Sequence, residues 1–166
     1  MLWFRKKEWI KYSDEDGFEA SFPKNPQVNK HEGLIPNTYT KIIEFKTWGN
    51  LEVYMISVTK INEYFGTPYN FLYSALEMYE NGINNCKVSN KEPMEIDSLP
   101  AIKIDINIGK ERLGKGQFIF KNNKLFCLSV ILTKASSSKE EKINRFLNNF
   151  KLINNPPRSC SSASVQ

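Results

Sequence analysis

The segment GKERLGKG, residues 109–116, sets Gly109, Gly114 and Lys115 at the glycine and lysine positions of a phosphate-binding P-loop. Such a loop works because a strand runs into a glycine-rich turn that opens a helix, whose N-terminal amides meet the phosphates. Here Gly116 replaces the closing Ser or Thr, which removes the usual Mg²⁺ ligand. The next residues, QFIFKNNKLFCLSVIL, carry a strand-and-hairpin pattern rather than a helical one. The segment therefore reads as a turn between two strands. Other chemistry-bearing residues are sparse. His31 is the sole histidine, set in KHEG among charged neighbours, and reads as an exposed loop residue; one histidine cannot make a two- or three-His metal site within one chain. Asp14, Glu15 and Asp16 in SDEDG could attract a cation, but an EF-hand needs a twelfth-position Glu between helices. This segment runs into FEASFP, so a solvated turn before a strand is expected. Asp105 and Glu95 read as ordinary strand or loop charges. No catalytic, cofactor-binding or metal residue is expected, and no cofactor.

The elements that would have to position any chemistry are more legible. PAIKIDINIG alternates Ile102, Ile104, Ile106 and Ile108 against Lys103, Asp105 and Asn107, the mark of a half-buried strand. QFIFK and KLFCLSVIL flank Asn122-Asn123, a pair that tolerates the positive φ of a tight hairpin. YTKIIEFKTWGNLEVYMISVT reads as two strands about Trp48-Gly49-Asn50, and GFEASF as a shorter strand stopped by Pro23 and Pro26. Two helices are predicted. In TPYNFLYSALEMYENG, Thr67 is the N-cap, Pro68 the first helical residue and Gly82 the C-terminal cap, with Leu72, Ala75, Leu76 and Tyr79 as the apolar stripe. In SSSKEEKINRFLNNF, Ser138 and Glu141 form a capping box, and Ile143, Phe146, Leu147 and Phe150 make the buried face. Short strand-to-strand loops mean mainly antiparallel pairing. The fold class is thus α+β: an antiparallel sheet of six to seven strands covered by helices, an α/β/α sandwich.

With 166 residues, 40% of them hydrophobic and 25% charged, the chain is one globular domain's worth. The formal charge of +5 is mild and spread along the chain, so nucleic acid is not an expected partner. The three cysteines, Cys86, Cys127 and Cys160, contain no C-x-x-C pair, and Cys127 in its apolar run reads as a core residue. No apolar run approaches the roughly 18 residues of a membrane span. MLWFRKKEWIKY has basic residues but neither an apolar h-region nor a cleavage site, so cytoplasmic placement is expected, or a periplasmic or secreted one for a processed chain. The chain divides into three regions: an aromatic and basic segment over 1–8, one α+β domain over 9–153, and a disordered tail over 154–166.

Contact with a partner is the remaining function class. LWFRKKEW interleaves Trp3, Phe4 and Trp9 with Arg5, Lys6 and Lys7, suited to packing onto a sheet or to a membrane surface. Tyr64 and Phe65 precede Gly66-Thr67-Pro68 on a loop, where they either pack or anchor a partner. Trp3, Tyr64 and Phe65 are therefore the candidate partner contacts, and another protein is the expected partner.

The pattern W-x-x-Y-x-x-x-x-G-F-x-x-x-F-P-x-x-P from Trp9 to Pro26 resembles the opening strand and proline turn of the PsbP-like superfamily, which includes the Mog proteins. The resemblance continues in LPAIKIDI, in the hairpin ending KLFCLSVIL and in RFLNNFKLI, and covers most of residues 9 to 153. It implies an antiparallel sheet with helices on both sides. Its members are typically binding proteins, among them photosystem II subunits, partners of the GTPase Ran and chaperones for the hydrophobic helices of secretion effectors. The function expected is accordingly a non-enzymatic binding or adaptor protein. A chaperone for hydrophobic helices of a secreted effector or membrane partner is the first alternative, and a small hydrolase the second. The shared motifs are structural, so the resemblance transfers no functional residue.

Overall fold

A computed structural model describes residues 8–154. Ten strands and two helices run in the order β1 (Ile10–Asp14), β2 (Phe18–Phe22), β3 (Gln27–Glu32), β4 (Tyr39–Lys46), β5 (Glu52–Lys60), α1 (Pro68–Gly82), β6 (Cys86–Ile96), β7 (Leu99–Ile108), β8 (Arg112–Lys121), β9 (Lys124–Thr133), α2 (Lys139–Asn148) and β10 (Lys151–Leu152). Seven strands make one antiparallel sheet in the order β3-β4-β5-β9-β8-β7-β6, and β1-β2-β10 make a second. The expected α+β class and antiparallel main sheet are present. A helix covers each face as expected, α1 lying over β6, β7 and β8 on one, while α2 shares the other with the small sheet.

Period-two alternation decides which residues enter which core. On β5, Tyr54, Ile56 and Val58 are buried against the small sheet, together with Phe126, Leu128 and Val130 of β9. Phe118, Phe120, Leu125 and Cys127 face α1 with Ile102, Ile104 and Ile106. Because β9 is covered on both faces, its whole apolar run from Leu125 to Leu132 is buried. The opening motif has the same logic. Phe18 and Phe22 are fully buried, and Trp9 meets Tyr54 edge-on at 5.4 Å while the Arg145 guanidinium lies 4.8 Å from its ring. Gly17 is left-handed (φ 89) with the Ile153 carbonyl 3.0 Å from where a Cβ would sit. A side chain there would strain the turn and push off the closing strand.

The P-loop look-alike is a turn leading into a strand. Residues 109–111 connect β7 to β8, and Gly114 and Gly116 lie inside β8. A Cβ on Gly114 would run into the Val130 carbonyl of β9. These glycines admit a neighbouring strand, not a phosphate. Asn122 and Asn123 are both left-handed (φ 50 and 58), the expected tight hairpin.

Three local expectations change, and one further strand is not legible in the sequence. His31 is exposed, but on the edge strand β3 rather than in a loop; the charged run around it hides a strand that is exposed along its whole length. Ser138 does not form the capping box: it is itself left-handed (φ 52) and its hydroxyl caps nothing, because the 134–138 turn sets the backbone before the helix begins. Gly82 ends α1 inside the helix, and the left-handed residue of the exit is Asn85 (φ 58). Strand β6 was hidden by its polar outer face and Pro93; a bulge between Ser89 and Glu92 and that proline blunt this sheet edge. By contrast, the Thr67 hydroxyl accepts from the Asn70 amide at 3.2 Å with Pro68 behind it, as its position implies. No helix among the described residues is long and apolar enough to cross a membrane. Trp3 and most of the 1–8 and 154–166 segments, with Cys160, lie outside the described residues.

Candidate functional site

Two places gather polar or exposed groups at the end of the main sheet where β4 begins and β5 ends. The first is built from SDEDG, and it corrects the solvated-turn reading. The turn forms, with the Gly17 amide donating to the Asp14 carbonyl at 3.1 Å, but Asp14 and Asp16 are buried between the two sheets. Lys41, on the inward face of β4, places its ammonium 2.8 Å from Asp14 Oδ1 and 2.6 Å from Asp16 Oδ2. Lys124 reaches Asp16 Oδ1 at 2.9 Å. The Tyr12 hydroxyl donates to Asp14 Oδ2 at 2.6 Å, and the Tyr39 hydroxyl donates to Asp16.

The electrostatics show what this cluster can do. Asp16 is buried, which by itself raises its pKa, but hydrogen bonds from Lys41, Tyr39 and Lys124 win and hold it down to about 2. Lys41 is likewise opposed by burial, yet Asp14 and Asp16 push its pKa above the ordinary lysine value. Burial and the neighbouring carboxylates push both tyrosines up. Asp16, Lys41, Tyr12 and Tyr39 are thus each held in the protonation state they already have near neutrality. Proton-transfer catalysis requires the reverse, values moved toward the working pH. The cluster is a clamp that fastens the β1–β2 turn to β4 and β9. A small cavity of about 170 Å³ beside it is lined by Glu15, Asp16, Lys121 and Lys124.

The second place is a cavity of about 640 Å³ between the 33–38 loop and the 61–65 loop. Thr40 and Thr59, paired across β4 and β5 with hydroxyls 3.3 Å apart, are among its lining residues, as are Ile35, Ile61 and Phe65. Each loop is tied back by its own bonds. The Gly33 amide donates to the Thr38 carbonyl at 2.8 Å, and the Ile61 amide to the Asn123 carbonyl at 2.9 Å. Phe65 is 90% exposed, and Leu34 and Ile35 on the facing loop are exposed too. Beside the cavity runs a strip of sheet that α1 does not cover, carrying Thr40 and Ile42 of β4 with Ser57 and Thr59 of β5, all half-buried.

The three residues singled out in the sequence have separate fates. Phe65 lines the cavity. Tyr64 turns the other way, half-buried, its ring edge-on to Phe120 at 4.7 Å and near Phe71 at 5.8 Å, where it walls the core under α1. Trp3 lies outside the described residues. Sequence reasoning missed Leu34 and Ile35. Their signal was two adjacent aliphatics in a proline-containing loop, where no core position was available to them.

No protein-family model matches the sequence, and comparison with curated proteins finds no match. Among solved structures, the solution structure of cyanobacterial PsbP from Synechocystis is similar over 92% of this chain and 96% of that one. Its TM-score is 0.60 at 15% sequence identity. The fold is that of PsbP. A crystal structure of a Pseudomonas aeruginosa protein of unknown function, named as a candidate regulator, is similar at a TM-score of 0.49 and 13% identity, over 90% of this chain and 99% of that one. The clamp lies between the two sheets, and the cavity lies at the end of the main sheet where β4 begins and β5 ends.

Proposed function

We propose that the protein is a non-enzymatic binding protein of PsbP-like fold that takes an apolar side chain of a protein partner into the 33–38/61–65 cavity. One observation carries the reading: Ile35 and Phe65, on two loops far apart in sequence, are both exposed and line one cavity together with Thr40 and Thr59, and Leu34 next to Ile35 is exposed too. Exposed large apolar residues drawn together in this way mark a contact surface rather than a packing fault. The state-locked clamp next to the cavity supports a binding role over a catalytic one. The open strip beside the cavity mixes Thr40, Ser57 and Thr59 with Ile42, a surface matched to one side chain and a short segment more than to a whole apolar helix.

The test is site-specific crosslinking. A photoreactive phenylalanine analogue at position 65 is expected to form one dominant protein adduct in cells of the source organism, and the same analogue at exposed Tyr73 on α1 is not. Ile35→Ser should abolish the position-65 adduct without moving the melting temperature. Equal adduct patterns at 65 and 73, or an adduct indifferent to Ile35→Ser, would overturn the pocket assignment. Trp3→Ala in parallel separates a contact made by the N-terminal segment.

A further inference from the structure

The opposite end of the main sheet carries a different surface. Thr47–Leu51, the connection from β4 to β5, is a single 3₁₀ turn in which Gly49 (φ 68) and Asn50 (φ 54) are left-handed. The Asn50 amide donates to the Thr47 carbonyl at 2.9 Å and the Glu52 amide to the Thr47 hydroxyl at 2.8 Å. This closed turn holds Trp48 93% exposed and Leu51 52% exposed. The Arg112 guanidinium donates to the Asn50 carbonyl, and the Thr133 amide to the Leu51 carbonyl at 3.1 Å. The tip is therefore braced against β8 and β9 rather than free to fold back over an apolar surface.

Further bonds gather cations at the same end of the sheet. The Lys134 amide donates to the Glu111 carbonyl at 2.9 Å, and Lys139 Nζ to the Lys134 carbonyl at 2.6 Å. Lys110, Arg112, Lys134 and Lys139 thus stand on adjoining segments. Among the described residues, none of the four has a carboxylate within 4.0 Å. Neighbouring lysines differ: Lys46 is neutralised by Glu44 at 3.1 Å and Lys142 by Glu52 at 2.6 Å. Glu111 and, on the first turn of α2, Glu140 and Glu141 are the acids on the same segments, so the cationic excess is modest.

We propose that this tip docks on an anionic lipid bilayer, with Trp48 and Leu51 entering the interface and Lys110, Arg112, Lys134 and Lys139 meeting headgroup phosphates and carboxylates. Indole rings settle at the headgroup level because they are apolar in body and polar at one edge. Basic side chains near an anionic surface add roughly 1 kcal/mol each, about fivefold in affinity. Leu51 decides between a bilayer and nucleic acid: its isobutyl group gains by entering hydrocarbon but offers no plane on which a base can stack. One aromatic–aliphatic wedge with a small basic set makes a reversible, salt-sensitive attachment, not a span. This surface is independent of the cavity at the other end.

The test uses the full chain with vesicles of phosphatidylcholine alone and of phosphatidylcholine mixed with phosphatidylserine. Co-sedimentation should favour the phosphatidylserine vesicles and weaken as salt rises. Trp48→Ala should lower binding about tenfold or more, and Arg112→Glu or Lys134→Glu about fivefold or more each. Brominated lipid should quench the tryptophan emission of Trp3→Phe and leave that of Trp48→Ala unquenched. Leu51→Ser, with an unchanged melt, provides a second wedge variant. Equal binding to both vesicle types, or full binding and quenching by Trp48→Ala, would overturn the proposal, the latter by moving the contact to the N-terminal segment. Preference for a single-stranded oligonucleotide over the vesicles would overturn it in favour of nucleic acid.

Discussion

At the end of the main sheet where β4 begins, Lys41 and Lys124 are turned onto Asp14 and Asp16, and Tyr12 and Tyr39 add their hydroxyls to the same carboxylates. At the end where β4 leaves for β5, Lys110, Arg112, Lys134 and Lys139 have no carboxylate partner among the described residues, and an indole stands in solvent beside them. The residue types are similar, but their solvation is opposite. Where a second layer covers the sheet, a charge must be paired and hydrogen-bonded or it costs several kcal/mol. Where nothing covers it, a charge is almost free and is left for contact with something else. Charge near the small sheet therefore reports on stability, and charge near the β4–β5 tip reports on association.

That contrast can be broken by substitution. Lys41→Met should be the most damaging, about 3–5 kcal/mol, since it takes the shared cation from Asp14 and Asp16 and leaves Lys124 on Asp16 alone. Urea unfolding measures it, and Asp14→Asn with Asp16→Asn added to Lys41→Met should recover much of the loss. A loss below about 1 kcal/mol for the single variant would mean that the clamp is solvated. Acid comes next. Asp16 titrates near 2 in the folded protein against 3.8 for the free group. Because the folded value is the lower one, its stabilisation is complete above about pH 4 and fades as pH falls toward 2, a span of about 2 kcal/mol. Unfolding free energy across that window should show the loss in wild type and not in Asp16→Asn.

Smaller effects sharpen the comparison. Thr67→Ala removes the α1 cap beside the Phe65 loop and should cost about 1 kcal/mol by thermal melt. Ser138→Gly, near the tip end, should raise stability by about 0.5 kcal/mol by relieving a left-handed serine. Trp48→Ala and Lys134→Glu should leave the unfolding free energy within about 0.5 kcal/mol, since each is exposed. A large destabilisation by either would make the tip a packing element and remove its claim to be a contact surface.

Much of the fold was legible because it rests on local chemistry. The Ile102–Ile108 alternation, the paired asparagines at 122–123 and the Thr67-Pro68 start each express a backbone rule that acts over a few residues. The failures have a common cause. β3 and β6 lie at the sheet edges with polar outer faces, so their strand character comes from a neighbour's hydrogen bonds and not from their own pattern. Ser138 had the right spacing for a capping box, but the preceding turn took its backbone into the left-handed region. The candidate site was legible in part. Phe65 could be named because an aromatic before Gly-Thr-Pro has no helix or strand to bury it, whereas its neighbour Tyr64 obeys the same local rule and is half-buried on Phe120.

The sequence by itself determined the α+β class, the antiparallel hairpins, the inward faces of the helices and the structural nature of the glycine-rich GKERLGKG. Each depends on periodicity or on φ preference, which neighbours along the chain set. Only the tertiary structure decided that Asp14 and Asp16 are buried on Lys41, that Ile35 and Phe65 line one cavity, and that Trp48 stands clear on a tip whose neighbouring segments carry cations unpaired among the described residues. Those outcomes depend on which layer covers which part of the sheet. Burial is a property of the packed layers, and it converts the same charged or aromatic residue into a clamp in one place and a contact in another.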